Sequence, residues 1–526
     1  MGGKVEKMQL RRNRIYATAI GTLLGVASMA VGAFLVPTNR FVAGAILFTA
    51  GVILYFYFVF FCCERNYLDI RAVFPAVWQC TIGLAALRLT EYQVQWETKT
   101  WVCLILAYAV YQIGVSVGIL WGGSLHIRPV LDRFGKSQWR IHDERLFWIC
   151  IFVTLSGLAC FIINVLIRGY VPFLESKKNM NAYVEFYTRF QIFSTAEVCI
   201  SPLCYYCLKT QRLLGWKRAA LVCCIVYSTF LYPVFVVSRG AFMTSALMLT
   251  CAVFYLNRRK FWILIACVVA TAGVYGGCSA LRGYSNEQLN EFFEPAQVQV
   301  GSSAGVEAPD AVEAETGNQD SAATVQSEQP ANDASLFSDD GKAPEPLSEV
   351  MPATDENTGR SFVLSPKWAF VYTYLTVSHD NLNEAVKYTS QYTYGIRQME
   401  PFNVLLRCPG LQKAIEAAPH YLVRKHLNTV DLIGDAYYDF GVIGVAVCML
   451  LWSFLFGAIQ LIYFVGGKPF ALLALGNVLT PVALCFFDPW MSEFSFWMYW
   501  GLTLVMLFAA AVPGKSKMAQ RRILLK

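Results

Sequence analysis

Apolar runs of roughly 20 residues recur along almost the whole of this chain. A helix of about that length crosses the hydrocarbon core of a bilayer and satisfies its own backbone hydrogen bonds there. Hydrophobic residues make up 56% of the 526 residues and charged residues only 15%, which is well below the value of about a quarter found in soluble domains. The runs therefore predict an all-α polytopic membrane protein rather than a large soluble protein with buried helices.

About twelve membrane spans are predicted from these runs. The first run is too long for the core of a signal peptide and leads directly into the second, so we expect it to be retained as a helix. The third is the weakest, because it is short and carries Arg88. The predicted spans lie near residues 15–36, 41–63, 73–89, 101–121, 146–167, 190–208, 219–237, 241–256, 261–281, 440–465, 469–487 and 494–512.

Lysine and arginine gather in alternate loops, and this pattern predicts the orientation of the chain. Basic residues are retained on the cytoplasmic side of a membrane. They cluster before the first span, after the last span, and around residues 65–71, 128–145, 209–218 and 258–260. We therefore expect both termini to be cytoplasmic and the long polar segment at residues 282–439 to lie on the outer face.

This outer segment divides the chain into three regions. Residues 1–281 are expected to hold spans one to nine, and residues 440–526 the last three spans and a basic cytoplasmic tail. Residues 282–439 form the one large loop, whose arginines, histidines and carboxylates suggest that a large anionic substrate is handled there.

The large loop has two parts. Of the 36 acidic residues in the chain, 16 lie between Glu287 and Arg360, and residues 295–360 contain few large apolar side chains. Such a segment buries too little surface to offset chain entropy, so we expect a disordered acidic insert. Residues 365–439 regain aromatic character and predict an ordered helical part, with one helix continuing to Tyr388 and a second near residues 409–418.

Several classes of site are not predicted by the sequence. The 17 cysteines lie mostly inside apolar runs, where they act as small hydrophobes, and none has the paired spacing of a zinc site. We find no P-loop, Rossmann glycine fingerprint or nucleophile elbow. We therefore expect no metal, no nucleotide or redox cofactor, and no nucleic-acid partner.

Arginine followed by glycine occurs at three predicted outer helix ends, at Arg168, Arg239 and Arg282. Two further arginines, Arg397 and Arg424, lie in the ordered part of the loop. The planar guanidinium group presents donors that match diphosphate oxygens. The alternative is that each arginine caps a helix or extends to lipid headgroups. Arg239 is the strongest candidate, because a tight outer turn has little reason to keep a charge.

Carboxylates and histidines near the end of the loop could supply a catalytic base. Asp431, Asp435 and Asp439 are four residues apart, so on a helix they would form one acidic stripe. Such a stripe could deprotonate a sugar hydroxyl or hold arginines in place, and the alternative is an ordinary solvated face. The histidine candidates are His379, which precedes Asp380, and His426, although a single histidine is more often structural than catalytic.

Glu197 lies inside the sixth predicted span. An ionisable residue within a membrane helix is a functional candidate by default, and it usually faces an internal partner. We therefore expect Glu197 to face a partner such as an arginine and to line the base of an outer cavity.

Five motifs together resemble the Wzy-type O-antigen and oligosaccharide repeat-unit polymerases of bacterial inner membranes. The resemblance covers roughly residues 100–510, and it depends on the order of the motifs more than on any single one. The acidic insert is a departure from the family. The motifs are RGYVPFLES after a span, SRGAF between two spans, RGY at the start of the loop, YLTVSHDNLNEA, and GDAYYDFGVIG before a span.

The resemblance implies block polymerisation at the periplasmic face of the inner membrane. The donor would be a growing glycan on undecaprenyl diphosphate, and the acceptor a sugar hydroxyl of another lipid-linked repeat unit. Arg168, Arg239 and Arg282 would hold the diphosphate, and a carboxylate or histidine would orient or deprotonate the acceptor. The implied partners are the lipid-linked oligosaccharide, membrane lipids and a chain-length regulator protein.

Two alternatives of other kinds remain open at this point. An O-antigen ligase shares the topology and the arginines, and it would transfer finished glycan to lipid A–core. A lipid-linked-sugar flippase or other transporter would place charges at the bilayer midplane and have short loops on both faces. A non-enzymatic membrane scaffold is disfavoured by the arginine-rich and aromatic outer loop.

Overall fold

The chain folds almost entirely into helices in the computed structural model. The predicted acidic insert, residues 295–360, lies outside the described residues, and so do residues 424–426. The structure describes residues 2–90, 92–122, 139–175, 186, 189–257, 259–282, 364, 366–406, 408–418, 421–423, 427, 429–466 and 469–513.

The helices are numbered here in chain order. Helices α2 and α9 continue into π-helical turns at Phe58–Cys62 and Tyr227–Leu231. The helices are α1 Gly2–Leu35, α2 Arg40–Tyr57, α3 Ile70–Ala86, α4 Thr98–Gly122, α5 Asp143–Arg168, α6 Pro172–Glu175, α7 Arg189–Thr195, α8 Ser201–Thr210, α9 Gly215–Val226, α10 Tyr232–Val236, α11 Arg239–Leu256, α12 Phe261–Arg282, α13 Pro366–Tyr388, α14 Glu400–Leu406, α15 Pro409–Glu416, α16 Gly434–Gly466, α17 Pro469–Ala483 and α18 Phe494–Ala510.

Seven helices among the described residues are long and apolar enough to cross a membrane. This confirms an all-helical membrane protein, whereas the predicted total of about twelve spans stays a prediction. Four shorter apolar helices coincide with further predicted spans, at Ile70–Ala86, Phe261–Gly273, Pro469–Ala483 and Phe494–Ala510. The seven candidate spans are Asn13–Leu35, Arg40–Cys62, Thr98–Leu120, Asp143–Arg168, Gly215–Val236, Arg239–Leu256 and Gly434–Phe464.

The predicted sixth span, near residues 190–208, differs from a single continuous helix. It is built from α7, a 3₁₀ turn at Ala196–Cys199, and α8. Pro202 lies in the first turn of α8, where its missing N–H is tolerated and favours a new helix start. The polar side chain of Gln191 bonds to Asn164 and Tyr232 rather than facing lipid.

Helices α4 and α16 pack with their backbones in direct contact. A Cβ atom on Gly118 of α4 would clash with the carbonyl oxygen of Phe454, and one on Gly457 of α16 would clash with that of Val115. Small residues allow this close approach. Because lipid is as apolar as the helices, the hydrophobic effect does not drive membrane helices together, and dispersion contacts between closely packed backbones stabilise the pair instead. The pair runs through the largest of four hydrophobic clusters among the described residues, which also includes buried residues of α1, α3, α11 and α17.

Helix α13 is not one of the apolar helices, yet it packs against α3, α4 and α16. Helix α16 bends at Gly441, whose φ of 63° and ψ of −147° separate a short first turn from the long apolar part. At the other end of the fold, strands Trp139–Ile141 and Ala511–Pro513 pair antiparallel and connect the start of α5 to the end of α18.

Candidate functional site

Helix α13 carries a polar sequence that is buried on every side. The stretch from Ser378 to Glu384 reads SHDNLNE, and each of its residues is buried. Buried polar groups must be hydrogen-bonded, because an unsatisfied one loses its interaction with water without a replacement. The partners of this stretch therefore define the local architecture.

His379 is fully buried and bonded at both ring nitrogens. Its Nδ1 lies 3.0 Å from Asp431 Oδ2, and its Nε2 lies 3.1 Å from Thr81 Oγ1. Trp78 packs edge-to-face on the ring, with centroids 5.3 Å apart. Burial raises the pKa of Asp431, while the hydrogen bond from His379 opposes that rise. The pair ties α13 to the segment before α16 and to α3.

Asp380 and its neighbour His379 contact different parts of the chain. Its Oδ1 accepts a hydrogen bond of 2.8 Å from Trp96 Nε1, and its Oδ2 accepts one of 3.0 Å from Gln93 Nε2. Burial nevertheless raises the pKa of Asp380 to about 6. Desolvation of the charge thus outweighs the two donors, as expected for a carboxylate removed from water.

Two asparagines of α13 fix the neighbouring chain segments. Asn383 Oδ1 accepts from the backbone N–H of Glu97 at 2.8 Å and from Thr100 Oγ1 at 2.9 Å, so it satisfies orphan donors at the start of α4. Asn381 Nδ2 donates to the carbonyl oxygens of Leu427 and Thr429 at 2.6 and 2.7 Å. These bonds hold the segment before α16 against α13.

Asp439 organises the loop that follows α13. Its Oδ1 accepts from Arg397 N at 3.1 Å and from the Thr393 hydroxyl, and its Oδ2 accepts from Gln398 N at 3.0 Å. A fully buried carboxylate that accepts two backbone donors at the start of a helical turn is a strong capping arrangement. Asp439 is therefore suited to position this loop, and its oxygens have little capacity left for a substrate.

Asp435 and Arg397 lie together on the same side of α16. The carboxylate of Asp435 bonds to the side chain of Ser492 and lies within electrostatic reach of the Arg397 guanidinium. Arg397 is 8% exposed, lies over the ring of Tyr438 at 5.2 Å, and donates from Nη2 to Ala418 O at 3.3 Å. Asp435 thus has fewer fixed hydrogen-bond donors than Asp439.

The three aspartates do not form the predicted acidic stripe. Helix α16 begins at Gly434, so Asp431 precedes the helix. The turn between them is closed by a hydrogen bond of 3.0 Å from Gly434 N to Asp431 O. Each carboxylate has its own partner set: Asp431 faces His379, Asp435 faces Arg397 and Ser492, and Asp439 faces loop amides. The solvated-face alternative is excluded for the same reason, since all three are buried.

Arg239 comes from a distant part of the sequence and contacts α13. Its Cζ lies 4.7 Å from the ring centroid of Tyr374, a favourable cation–π geometry. It is the first residue of α11, and the Ser238 side chain caps that helix by accepting from Ala241 N. Tyr374 precedes His379 by five residues, which is about 7.5 Å along a helix axis. Arg239 therefore contacts the same helix that carries His379, but on a different face of α13.

Arg168 lies in α5 and Glu197 in the 3₁₀ turn before α8, and both of these elements contribute buried residues to a second hydrophobic cluster. Arg168 ends α5, and Gly169 after it adopts a φ of +77° and closes the helix through a bond of 2.8 Å to Val165 O. Glu197 is fully buried against Gly157, and among the described residues neither of its carboxylate oxygens has a hydrogen-bond partner. The expected arginine partner of Glu197 is thus not found in the described part of the chain.

Three predicted residues cannot be placed. The backbone of Arg282 ends α12, but its side chain lies outside the described residues, as do Arg424 and His426. Within the described residues no group of three or more histidine, cysteine, aspartate or glutamate side chains could hold a metal ion.

Sequence reasoning missed the residues that surround His379 and Asp380. They come from α3 and from the segment between α3 and α4, namely Trp78, Thr81, Gln93 and Trp96. A signal was present in the polar and aromatic run TEYQVQWET, which is too polar for a span and too aromatic for a plain loop.

The described site offers a buried acid–base pair, a second carboxylate beside an arginine, and an arginine at a helix start. Side chains of these types can orient a hydroxyl, accept its proton and stabilise developing negative charge. Comparison with protein-family models, with curated proteins and with solved structures finds no match to this chain.

Proposed function

We propose that the chain is a membrane glycosyltransferase that polymerises polyprenyl-diphosphate-linked oligosaccharide repeat units. The observation that carries this proposal is the contact between Arg239 and Tyr374. It brings the arginine at the α10–α11 junction into contact with α13, which also packs against α16, the helix that carries Asp435. The Wzy-like order of the sequence motifs supports the same activity.

The charges of the site suit a diphosphate substrate. Arg239 starts a helix of 18 residues, whose first-turn amides and dipole favour an anion. The guanidinium group can bind two phosphate oxygens at once, which a lysine cannot do with the same geometry. In the proposal Arg239 holds the diphosphate together with Arg168 and Arg282, and the tyrosine ring keeps the guanidinium plane in place.

The transfer itself requires little chemistry from the protein. The hydroxyl oxygen of the acceptor sugar attacks the anomeric carbon of the donor, the bond from that carbon to the diphosphate oxygen breaks, and polyprenyl diphosphate leaves. The proton of the hydroxyl passes to a carboxylate. Cationic stabilisation of the leaving group and alignment of the two substrates provide the acceleration.

Among the predicted bases, Asp435 is the one we assign to the acceptor proton. It is bonded to Ser492 and close to Arg397, so its charge is compensated while one oxygen can still accept a proton. Asp439 is assigned a positioning role, because its oxygens are committed to Thr393, Arg397 and Gln398. His379 is enclosed by tryptophans and Asp431, so we assign it a structural role.

The proposal includes a location and an orientation. With about twelve spans and cytoplasmic termini, the loop at residues 282–439 would be periplasmic and the protein would reside in a bacterial inner membrane. Lipid-linked repeat units and membrane lipids would be its partners, and a chain-length regulator would bind from the periplasmic side.

The deciding experiment is reconstitution of the purified protein with a lipid-diphosphate-linked repeat unit, with product length read on a gel. A ladder of multiples, accompanied by released polyprenyl diphosphate, is the expected result. Transfer only after lipid A–core is added would replace the polymerase by a ligase. Neither reaction, together with movement of the lipid-linked unit between leaflets, would establish a flippase instead.

A further inference from the structure

A cleft of about 400 Å³ opens beside the loop that Asp439 holds. One wall is the segment from Ser390 to Ile396, and the other is the end of α15 with Ala418 and Tyr421. Its size falls in the range of about 300–1,000 Å³ typical of small-molecule sites. None of the catalytic candidates that the structure describes lines it, so it is a separate feature of the described fold.

Three tyrosines form the aromatic surface of this cleft, Tyr392, Tyr394 and Tyr421. Tyr421 is held between Tyr388, at a centroid distance of 5.7 Å, and Tyr438, at 6.3 Å in a stacked arrangement. Tyr394 is 78% exposed, an unusual exposure for a large aromatic ring next to a concave surface. Rigid rings with a hydroxyl at the tip provide apolar area and hydrogen bonding at low entropic cost.

The remaining lining is uncharged and only partly polar. Ser390 and Gln391 contribute a hydroxyl and an amide group, Ile396, Ala414, Ala417 and Ala418 contribute apolar area, and none of the described lining residues is a lysine, arginine, aspartate or glutamate. Gln391 and Ser390 are exposed, so their hydrogen-bonding groups are available to a ligand. A lining of this kind favours a neutral polyhydroxyl compound over a diphosphate or another strongly charged group.

The loop backbone is fixed in an uncommon conformation that projects Tyr394 outward. Tyr394 has a φ of +50° and Gly395 one of +96°. Positive φ is costly for a tyrosine and persists only where the surroundings impose it. Here the Tyr394 N–H donates to Asp439 O at 3.1 Å, and the Asp439 carboxylate fixes the residues on both sides. The backbone that carries the exposed ring is therefore held in place before any ligand arrives.

The cleft is connected to the proposed base by a short path. Ala418, which lines the cleft, accepts a hydrogen bond of 3.3 Å from Arg397, and Arg397 lies beside Asp435. A sugar bound on the tyrosines would thus lie on the far side of this arginine from Asp435.

We infer that the tyrosine cleft is a saccharide subsite, which binds a neutral sugar of the acceptor glycan by stacking on Tyr394 and Tyr421. This inference rests on the proposed function for the identity of the glycan as acceptor. It adds the position of the sugar, the stacking residues and the neutral character of the unit bound there.

Saturation-transfer NMR on the full-length protein in lipid nanodiscs tests the inference. The probes are the methyl α- and β-glycosides of glucose, galactose, mannose, rhamnose and N-acetylglucosamine, with inorganic diphosphate as a charged comparison. We expect at least one glycoside to bind, and Tyr394→Ala to weaken it about tenfold, as the loss of one stacking ring would. Alanine at position 394 adds no backbone strain, because tyrosine already occupies the positive φ.

Two further variants separate stacking from folding. Tyr394→Phe keeps the ring and should bind within about twofold of the wild type. Trp368→Ala removes a ring that is 68% exposed near the start of α13, outside the cleft, and should leave binding unchanged. Gln391→Ala, which alters an exposed polar side chain of the lining, should also weaken binding.

The outcomes distinguish this inference from the proposed function. Glycoside binding that depends on Tyr394, in a protein that forms no glycan ladder, would keep the subsite and remove the polymerase. A ladder with no glycoside bound, or binding unaffected by Tyr394→Ala, would remove the subsite and keep the polymerase. Diphosphate binding that is lost with Tyr394→Ala would overturn the assignment of a neutral ligand.

Discussion

Replacing Asp380 by asparagine should remove a pH-dependent destabilisation from the folded protein. The side chain is 2% exposed, and burial raises its pKa from 3.8 to about 6. A carboxyl group whose pKa is raised by folding binds its proton more tightly in the folded chain than in the unfolded chain, so its ionisation opposes folding. The destabilisation is absent well below pH 3.8, increases through the interval to pH 6, and is complete above it.

The size of this effect follows from the two pKa values. The interval from 3.8 to about 6 corresponds to about 3 kcal/mol, because one pKa unit is about 1.4 kcal/mol. About 1 kcal/mol is already present at pH 4.5, and about 2 kcal/mol is added between pH 4.5 and pH 7.5. The side-chain oxygen of asparagine can still accept the hydrogen bond from Trp96 Nε1, but its NH₂ group would face the NH₂ group of Gln93. Two donors that face each other leave a hydrogen bond unmade, which costs about 1 kcal/mol at every pH.

The assay is unfolding in mixed dodecylmaltoside and SDS micelles at pH 4.5 and pH 7.5, followed by tryptophan fluorescence. The wild type should lose about 2 kcal/mol more than Asp380→Asn between these two pH values. Other carboxyl groups titrate equally in both proteins, so the difference isolates Asp380. If the two proteins lose the same free energy of unfolding, the reasoning from burial is wrong.

Three other substitutions test separate parts of the structure. Arg239→Ala should reduce polymerisation at least about 100-fold at normal abundance in the membrane, with Arg239→Lys intermediate, because the planar donor pair is lost; wild-type product length from the alanine variant would count against a diphosphate clamp. Asp439→Ala should lower the free energy of unfolding by about 3 kcal/mol or more, since the Arg397 and Gln398 amides lose their acceptor, and an unchanged unfolding curve would contradict this role. Gly157→Ala should reduce the yield of monodisperse protein on size-exclusion chromatography, because the added Cβ would clash with Glu197. Gly501→Ala is the control, since nothing lies within 4 Å of a Cβ there, and equal yields from the two variants would refute the packing of Glu197 against Gly157.

Helix positions were the part of the fold that the sequence predicted well. Hydropathy predicted most ends of the apolar helices to within a few residues, because burial in lipid requires a continuous apolar run; the exceptions are α1 and α16, which begin earlier than predicted, at Gly2 and Gly434. It failed at residues 190–208, where mean hydropathy conceals polar residues that bond to one another. Gln191 and Ser194 both contact the Tyr232 hydroxyl, and these bonds are made between elements distant in sequence.

The functional roles of the candidate site residues stay predictions, and the sequence did not predict which of these residues pair with one another. The spacing of Asp431, Asp435 and Asp439 indicated one helix face, yet the helix starts only at Gly434. His379 was paired with Asp380 by adjacency, whereas adjacent residues on a helix point about 100° apart and took different partners. Its actual partner, Asp431, lies 52 positions away, and no local pattern can predict such a contact.

The glycine contacts between α4 and α16 have a mechanical consequence. Two helices whose backbones touch cannot slide or separate without losing the whole seam, so they move as a single rigid strut. Asp435 and Asp439 lie on the first part of α16, which the bend at Gly441 separates from this strut. In the proposed function, the opening that admits a long lipid-linked chain would therefore come from elements outside the strut, such as α13, the first part of α16 or the segment from Ser390 to Ile396.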